Sequence, residues 1–257
     1  MMLNSAPSVL KRSFLNILTV IPSRLASSRL PQKALADING LPMIVHVWQR
    51  GIEADLGPVV VACGNPEIAD AVRSAGGTAV LTDPALNSGS DRVYAAVQMI
   101  DPESKFDVII NLQGDMPTAE PAMLRRLIEP LQHPAGEMAT LASVITQADE
   151  LESDAVVKAA IAFPYEGAAV GRALYFSRAV LPWGKGDNYH HIGLYAYKRS
   201  ALARFSQWPA GILERRERLE QLRALEQGMR IDVSIVQTNP LGVDRLEDLN
   251  MARELLL

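Results

Sequence analysis

Cysteine is almost absent from the sequence. Cys63 is the sole one in 257 residues, so no disulfide can form within the chain and a zinc site built on cysteines is excluded. As a small apolar residue at the end of a predicted strand, Cys63 reads as packing rather than as a reactive thiol. Long apolar runs are missing too, since none approaches the roughly 18 residues of a membrane-spanning helix. There is no excess of positive charge: 25 Lys and Arg face 29 Asp and Glu, for a net charge of −4. That balance argues against a nucleic-acid partner, which calls for a basic surface. Neither glycine signature, G-x-x-x-x-G-K-[ST] or G-x-G-x-x-G, follows the first predicted strand, which disfavours a nicotinamide oxidoreductase. Internal repeats, low-complexity tracts and linkers are absent as well.

What is present is an ordinary globular balance, 48% hydrophobic and 21% charged, which rules out disordered and collagen-like classes. The length allows one large α/β unit with a smaller lobe. The N-terminal MMLNSAPSVLKRSF places Lys11 and Arg12 before a short apolar run and offers no small-residue cleavage site, so it does not read as a secretory signal. The expectation is a cytoplasmic protein with a flexible tail over residues 1–15.

From residue 16 the first half alternates short apolar runs with helical periods. Strands are predicted at 16–21 (NILTVI), 58–62 (PVVVA), 78–82 and 107–112 (DVIINL), and helices after Pro42, over 66–76, over 91–100 and over 121–132. Strands of four to six apolar residues between helices of about ten point to βαβ units, hence a mostly parallel central sheet with helices on both faces. The second half changes rhythm. Strands at 138–146, 156–163, 170–176 and 192–197 suggest a smaller mixed-sheet lobe, and 211–227 (GILERRERLEQLRALEQ) reads as one long charged helix closed by Gly228. The boundaries expected are a nucleotide lobe over 16–137, a second lobe over 138–228, and a closing strand and helix over 229–257.

The stretch IPSRLASSRLPQKAL, residues 21–35, carries the strongest chemical signal. It sets Arg24, Arg29 and Lys33 within ten residues, right after a buried-looking strand. Small residues Ala26, Ser27 and Ser28 let backbone N–H groups approach an anion. Three cations exceed what one carboxylate needs but suit a triphosphate. In open α/β sheets ligands bind at the carboxyl ends of the strands. Two more such ends are chemically loaded, LNSGSDR at 86–92 and Gln113-Gly114-Asp115. Asp115, after a buried strand, is the kind of carboxylate that holds Mg²⁺ while phosphate oxygens and water complete the octahedron. Asp244, in LGVDRLEDL, is a second candidate, with capping of the last helix as its other reading. Two carboxylates and three cations suit phosphoryl or nucleotidyl transfer, where positioning and charge neutralisation supply most of the acceleration.

These residues carry a resemblance. IPSRLASSRLPQKAL, NSGSDR, NLQGDMP, RALYFSRAVLPW, HHIGLYAYKRSAL, LERRERLEQLRALEQG and GVDRLEDL, in that order, resemble the 3-deoxy-manno-octulosonate (Kdo) cytidylyltransferases. The resemblance implies a Rossmann-like nucleotidyltransferase fold and attack of a sugar acid's anomeric hydroxyl on the α-phosphate of CTP, releasing pyrophosphate. The product would feed lipopolysaccharide biosynthesis. It further implies that Arg24 and Lys33 hold the triphosphate, supported by Ser27 and Ser28, and that Ser88 and Gly89 lie near the base or ribose. Asp115 and Asp244 would bind Mg²⁺, and Gln113 would face the sugar. Arg29 and Arg178 would offer planar forks to the sugar's carboxylate. His191 and Tyr195, four apart in a predicted strand, would share one face, and Glu217, Glu220 and Gln221 on the charged helix would accept sugar hydroxyls. A homodimer is implied as well.

The sequence departs from the family pattern in three places. Met116 stands where a glutamate is usual, Asn87 replaces a histidine, and Ser90-Asp91 replaces Thr-Glu in the S-G-T-E-R turn. These changes bear on which sugar acid is taken more than on the reaction type. An 8-amino analogue of Kdo and a nine-carbon, sialic-acid-like substrate therefore stay open. So do a glycosyltransferase of related fold and a catalytically silent nucleotide-binding homologue.

Overall fold

The computed structural model describes residues 15–27 and 29–257. The expected N-terminal tail, apart from Leu15, and the candidate phosphate-loop residue Ser28 lie outside the described residues.

Eleven strands are described: β1 (Ile17–Ser23), β2 (Asp37–Ile38), β3 (Leu41–Pro42), β4 (Val59–Cys63), β5 (Thr78–Leu81), β6 (Val108–Asn111), β7 (Met138–Val144), β8 (Lys158–Ala162), β9 (Val170–Ser177), β10 (Tyr189–Lys198) and β11 (Ile231–Ile235). Between them run α1 (Met43–Glu53), α2 (Pro66–Ser74), α3 (Gly89–Ile100), α4 (Pro121–Ile128), α5 (Ala148–Glu152), α6 (Arg199–Gln207), α7 (Ile212–Glu217), α8 (Gln221–Glu226) and α9 (Leu246–Leu255). Nine strands form one sheet in the order β5-β4-β1-β6-β10-β7-β11-β9-β8, while β2 and β3 make a separate hairpin.

Helices do cover both faces, as the strand pattern demands. Ile17 and Ile21 of β1 point into a core built with α1, α2 and α4. Leu18 and Val20 point into the opposite core, built with α3, α6 and α8. The near-continuous apolar runs of β1, β4 and β6 follow from this double burial. Cys63 ends β4 fully buried and donates its thiol to the Val80 carbonyl at 3.6 Å.

The expectation of a mostly parallel sheet is corrected. β5, β4, β1 and β6 are mutually parallel, but β10 runs antiparallel between β6 and β7. Beyond it, β11 is parallel to β7, and β9 and β8 are antiparallel. The second-half strands thus extend the same sheet. The final strand, read as closing, is interior, paired on both edges by β7 and β9. Strand order is a non-local property that runs of apolar residues do not encode.

The single charged helix is corrected too. Arg218 adopts a left-handed backbone (φ 57°) that ends α7, and α8 starts at Gln221. Glu217 and Glu220 therefore do not lie on one helical face. Helix α6 and the β2–β3 hairpin were not anticipated from the sequence. α9 packs its Leu249 and Ala252 against Ile38 of that hairpin and Val243.

Candidate active site

The carboxyl ends of β1 and β6 and the first turn of α3 surround a cleft of about 370 Å³. Its lining includes Arg24, Ser27, Arg29 and Lys33 from the loop after β1, Ser88, Gly89 and Arg92 from α3 and its cap, Gln113 and Asp115 after β6, and Asp244. Nine of the sequence-nominated residues thus meet in one place.

Local chemistry explains how. Asn65 Oδ1 accepts from the Leu25 N–H (3.0 Å), pinning the cationic loop to the end of β4. A 3₁₀ turn over Lys33–Leu35 then points Lys33 inward. Gly114 lets the β6 loop approach β1: a Cβ there would sit 2.7 Å from the Pro22 carbonyl oxygen. The Asp115 carbonyl accepts from Val243 N–H at 2.9 Å, which carries Asp244 alongside. Ser88 Oγ caps α3 by accepting from Asp91 N–H at 3.0 Å, and this opens the helix at Gly89, two residues before the predicted start.

Neither aspartate caps a helix. α4 is preceded by Glu120 and α9 by Arg245, whose N–H and that of Asp244 are both accepted by Asp248 Oδ2. Instead the Lys33 ammonium bridges the two aspartates, donating to Asp115 Oδ2 at 2.8 Å and to Asp244 Oδ1 at 2.9 Å. Arg29 Nη1 reaches Asp244 Oδ2 at 2.9 Å. Burial alone would lower the Lys33 pKa, but the paired carboxylates outweigh it and raise it above the usual lysine value. Burial would likewise raise Asp244, yet Lys33 and Arg29 hold it below the usual carboxylate range.

Among the described residues no group of three or more His, Cys, Asp or Glu side chains could hold a metal. The pair Asp115–Asp244 nevertheless converges its oxygens on one cation, and a hard divalent ion fits that donor set, with remaining positions left for phosphate oxygens and water. Four cations (Arg24, Arg29, Lys33, Arg92) face these two carboxylates, so the cleft is net positive and suited to a polyanion.

Arg92 is the residue that sequence reasoning missed. It is 2% exposed, donates from Nη1 to Thr82 Oγ1 (2.5 Å) and the Asp83 carbonyl (3.1 Å), and keeps Nη2 without a partner. Burial, with Arg24 nearby, lowers its pKa from the ordinary arginine value. The signal was available: in NSGSDR the arginine stands one turn after Gly89, on the face of α3 that Gly89 starts.

Of the residues nominated for the sugar, Arg29 and Gln113 line the cleft, and the others lie outside its lining in three groups. His191, 7% exposed, lines a larger groove with Met116. Its Nε2 lies 3.0 Å from Thr140 Oγ1, and Gln221 Nε2 approaches Nδ1 at 3.5 Å. Thr140 Oγ1 also lies within hydrogen-bond reach of the carbonyls of Ile192 (3.1 Å) and Leu194 (2.8 Å). Burial, reinforced by His190, pushes the His191 pKa down to about 3, so the ring is neutral. Tyr195 packs on it with ring centroids 5.7 Å apart. Glu220 lies beside Asn87, Ser88 and Asp91 in a recess and accepts from Ser90 Oγ at 2.7 Å. Arg178 and Glu217 line a separate recess. There Glu217 is occupied by Ser177 Oγ (2.9 Å) and the Arg178 N–H (3.3 Å), and Arg178 Nη1 donates to the Asp154 carbonyl at 2.8 Å. Lys158, fully buried, clamps this region by donating to the carbonyls of Ser153 (2.6 Å), Val156 (3.0 Å) and Arg178 (2.9 Å).

Comparison with known proteins identifies the relatives of the chain. Residues 18–231 match the family model described as cytidylyltransferase. The 3-deoxy-manno-octulosonate cytidylyltransferase of Rhodospirillum centenum is 58% identical over 94% of this chain and 93% of its own length. That of Paramagnetospirillum magneticum is 56% identical over 92% and 96%. Among solved structures, a CMP:2-keto-3-deoxy-manno-octonic acid synthetase complexed with CTP superposes with a TM-score of 0.85 at 36% identity, covering 94% of this chain and 98% of that one.

Proposed function

Since the chain belongs to the 3-deoxy-manno-octulosonate cytidylyltransferases, it transfers CMP from CTP to Kdo, and we propose that the β1–β6 cleft performs the transfer. The observation that carries the assignment is the Lys33 bridge, which shows Asp115 and Asp244 converging on one cation beside Arg24, Arg29 and Arg92.

In this reading Arg24 and Lys33, supported by Ser27 and Ser28, hold the β- and γ-phosphates. The Arg92 guanidinium adds a buried positive charge to the same wall. Ser88 and Gly89 border the base or ribose. Asp115 and Asp244 hold Mg²⁺, which when bound neutralises phosphate charge. The anomeric hydroxyl oxygen forms its bond to the α-phosphorus and gives up its proton to water as the bond to the pyrophosphate oxygen breaks. The charge that develops on pyrophosphate falls among pre-placed cations, the arrangement that lowers such barriers most. Gln113 and Arg29, at the cleft, and Arg178, His191, Tyr195, Glu217, Glu220 and Gln221 outside its lining provide the sugar acid with donors and acceptors. His191, being neutral, contributes hydrogen bonding and not charge.

A homodimer is part of this proposal. Trp183 is 99% exposed, with Val180 and Val144 also exposed. Their segments are tied together by Ile145 N–H to Asn188 O (2.9 Å) and Asn188 Nδ2 to Leu181 O (2.8 Å), and a second copy would cover these exposed apolar side chains. No helix among the described residues is long and apolar enough to cross a membrane, and a cytoplasmic location is part of the same proposal.

A pyrophosphate-release assay crossing the four nucleoside triphosphates with a panel of 2-keto sugar acids tests the reading. Release is expected with CTP and Kdo together in Mg²⁺. Preference for the 8-amino analogue or a nine-carbon acid would reassign the substrate. Binding of CTP without release for any acid would make the chain a silent homologue, and full activity in EDTA would remove the metal.

A further inference from the structure

We infer that Ser90 is a positioning residue for the sugar acid, acting through Glu220 from the far side of the nucleotide cleft. The inference rests on the assignment of Glu220 to the sugar.

Ser90 is 2% exposed and sits in the first turn of α3, directly after Ser88 and Gly89, which line the nucleotide cleft. Its hydroxyl donates to Glu220 Oε2 at 2.7 Å, across 130 residues of sequence. Glu220 Oε1 meets Arg223 Nη2 at 3.4 Å, a long contact, and the Ser88 hydroxyl is a further, weaker partner of the carboxylate. Ser90 thus supplies the short bond that holds the carboxylate in this orientation.

The neighbouring geometry shows what this orientation governs. Arg218, in its left-handed conformation, ends α7 and lets the chain turn. Glu220 then meets α3, while Gln221, 3% exposed, points the other way to His191 Nδ1. The Ser90–Glu220 bond thus locks the start of α8 against the helix whose cap borders the nucleotide. One polar chain runs from that cap through Ser90, Glu220 and Gln221 to His191 and Thr140. The methyl that a threonine would add at this position is dispensable to the bond; the hydroxyl is not.

The test compares wild type with Ser90→Ala, Ser90→Cys and Ser90→Thr in steady-state kinetics, varying CTP and Kdo separately, with Glu220→Ala and the Ser90→Ala/Glu220→Ala pair completing a double-mutant cycle. Ser90→Cys preserves volume with a weak donor, should Ser90→Ala not fold. Expected is about a tenfold rise in KM for the sugar acid in Ser90→Ala and Ser90→Cys, KM for CTP within twofold, near-complete rescue by Ser90→Thr, and a double variant no worse than Glu220→Ala alone. An equal rise in both KM values, or additive effects in the cycle, would make Ser90 merely structural and overturn the inference. An unchanged sugar-acid KM in Glu220→Ala would overturn it through its premise. Wild type that forms no product from Kdo would instead sink the functional reading itself, before any variant is compared.

Discussion

Replacing Lys33 with methionine keeps most of the apolar stem of the side chain and deletes the ammonium between Asp115 and Asp244. The structure predicts that this loss tightens the binding of a divalent ion to the nucleotide-free protein even as it damages catalysis. A unit ion pair at 4 Å is worth about 4 kcal/mol at an effective dielectric near 20, before desolvation. Lys33 is 16% exposed, but Asp115 and Asp244 are 34% and 45% exposed. Solvent screening therefore leaves about 1 kcal/mol net for each pair. An entering dication must displace both, so Lys33 opposes it by about 2 kcal/mol, or roughly thirtyfold in affinity. The assay is Mn²⁺ titration followed by electron paramagnetic resonance, without nucleotide, on wild type and Lys33→Met. Tighter binding by at least tenfold is expected in the variant, together with a rate about 10²-fold lower from the lost stabilisation of pyrophosphate. Equal or weaker Mn²⁺ binding by the variant would refute the reasoning, because it would mean that Lys33 does not compete for the carboxylates.

Three further outcomes follow from the same geometry. Gly114→Ala forces a Cβ against the Pro22 carbonyl oxygen, 2.7 Å away, and separates the two strand ends that form the cleft. kcat/KM is expected to fall about 10²-fold in a protein whose circular dichroism spectrum is unchanged, and unchanged kinetics would contradict the role of that contact. His191 is held neutral, with its pKa pushed down to about 3 by burial, while in the unfolded chain it titrates near 6.5. The unfolded state thus binds more protons between those values. The contribution to stability is complete above pH 6.5 and is lost as pH falls below it, at roughly 1 kcal/mol per pH unit. Urea midpoints at pH 7 and pH 5.5, for wild type and His191→Asn, measure it: the variant should show the shallower loss. Lys158→Met leaves three half-buried carbonyls without their donor and is expected to cost about 3 kcal/mol in urea unfolding, while a loss below 0.5 kcal/mol would show that water replaces the ammonium.

Much of the nucleotide side was legible from the sequence because it is local. An apolar strand announces itself by its run, the residues just past it fall at the sheet's carboxyl edge, and Arg24–Lys33, Ser88–Gly89 and Gln113–Asp115 all lie just past such strands or on a helix cap there. What escaped is non-local or depends on one backbone angle. The antiparallel insertion of β10 between β6 and β7 turned an expected parallel sheet into a mixed one. Arg218 at φ 57° broke a segment whose apolar period, Ile212, Leu219, Leu222 and Leu225, reads as continuous. Arg92 hid inside a helix, where an arginine is ordinarily solvated and only its burial marks it out. Asp244 was ambiguous on local grounds. Asp248 captures the N–H groups at the start of α9 and frees Asp244 to face Lys33.

The most direct measurement is a crystal structure of the protein with CTP and Mg²⁺. The account predicts the triphosphate lying among Arg24, Lys33 and Arg92, the Lys33 ammonium drawn from the aspartates to phosphate oxygens, and the metal held by Asp115 and Asp244. A triphosphate bound away from these side chains, with Lys33 still bridging the two carboxylates, would contradict it.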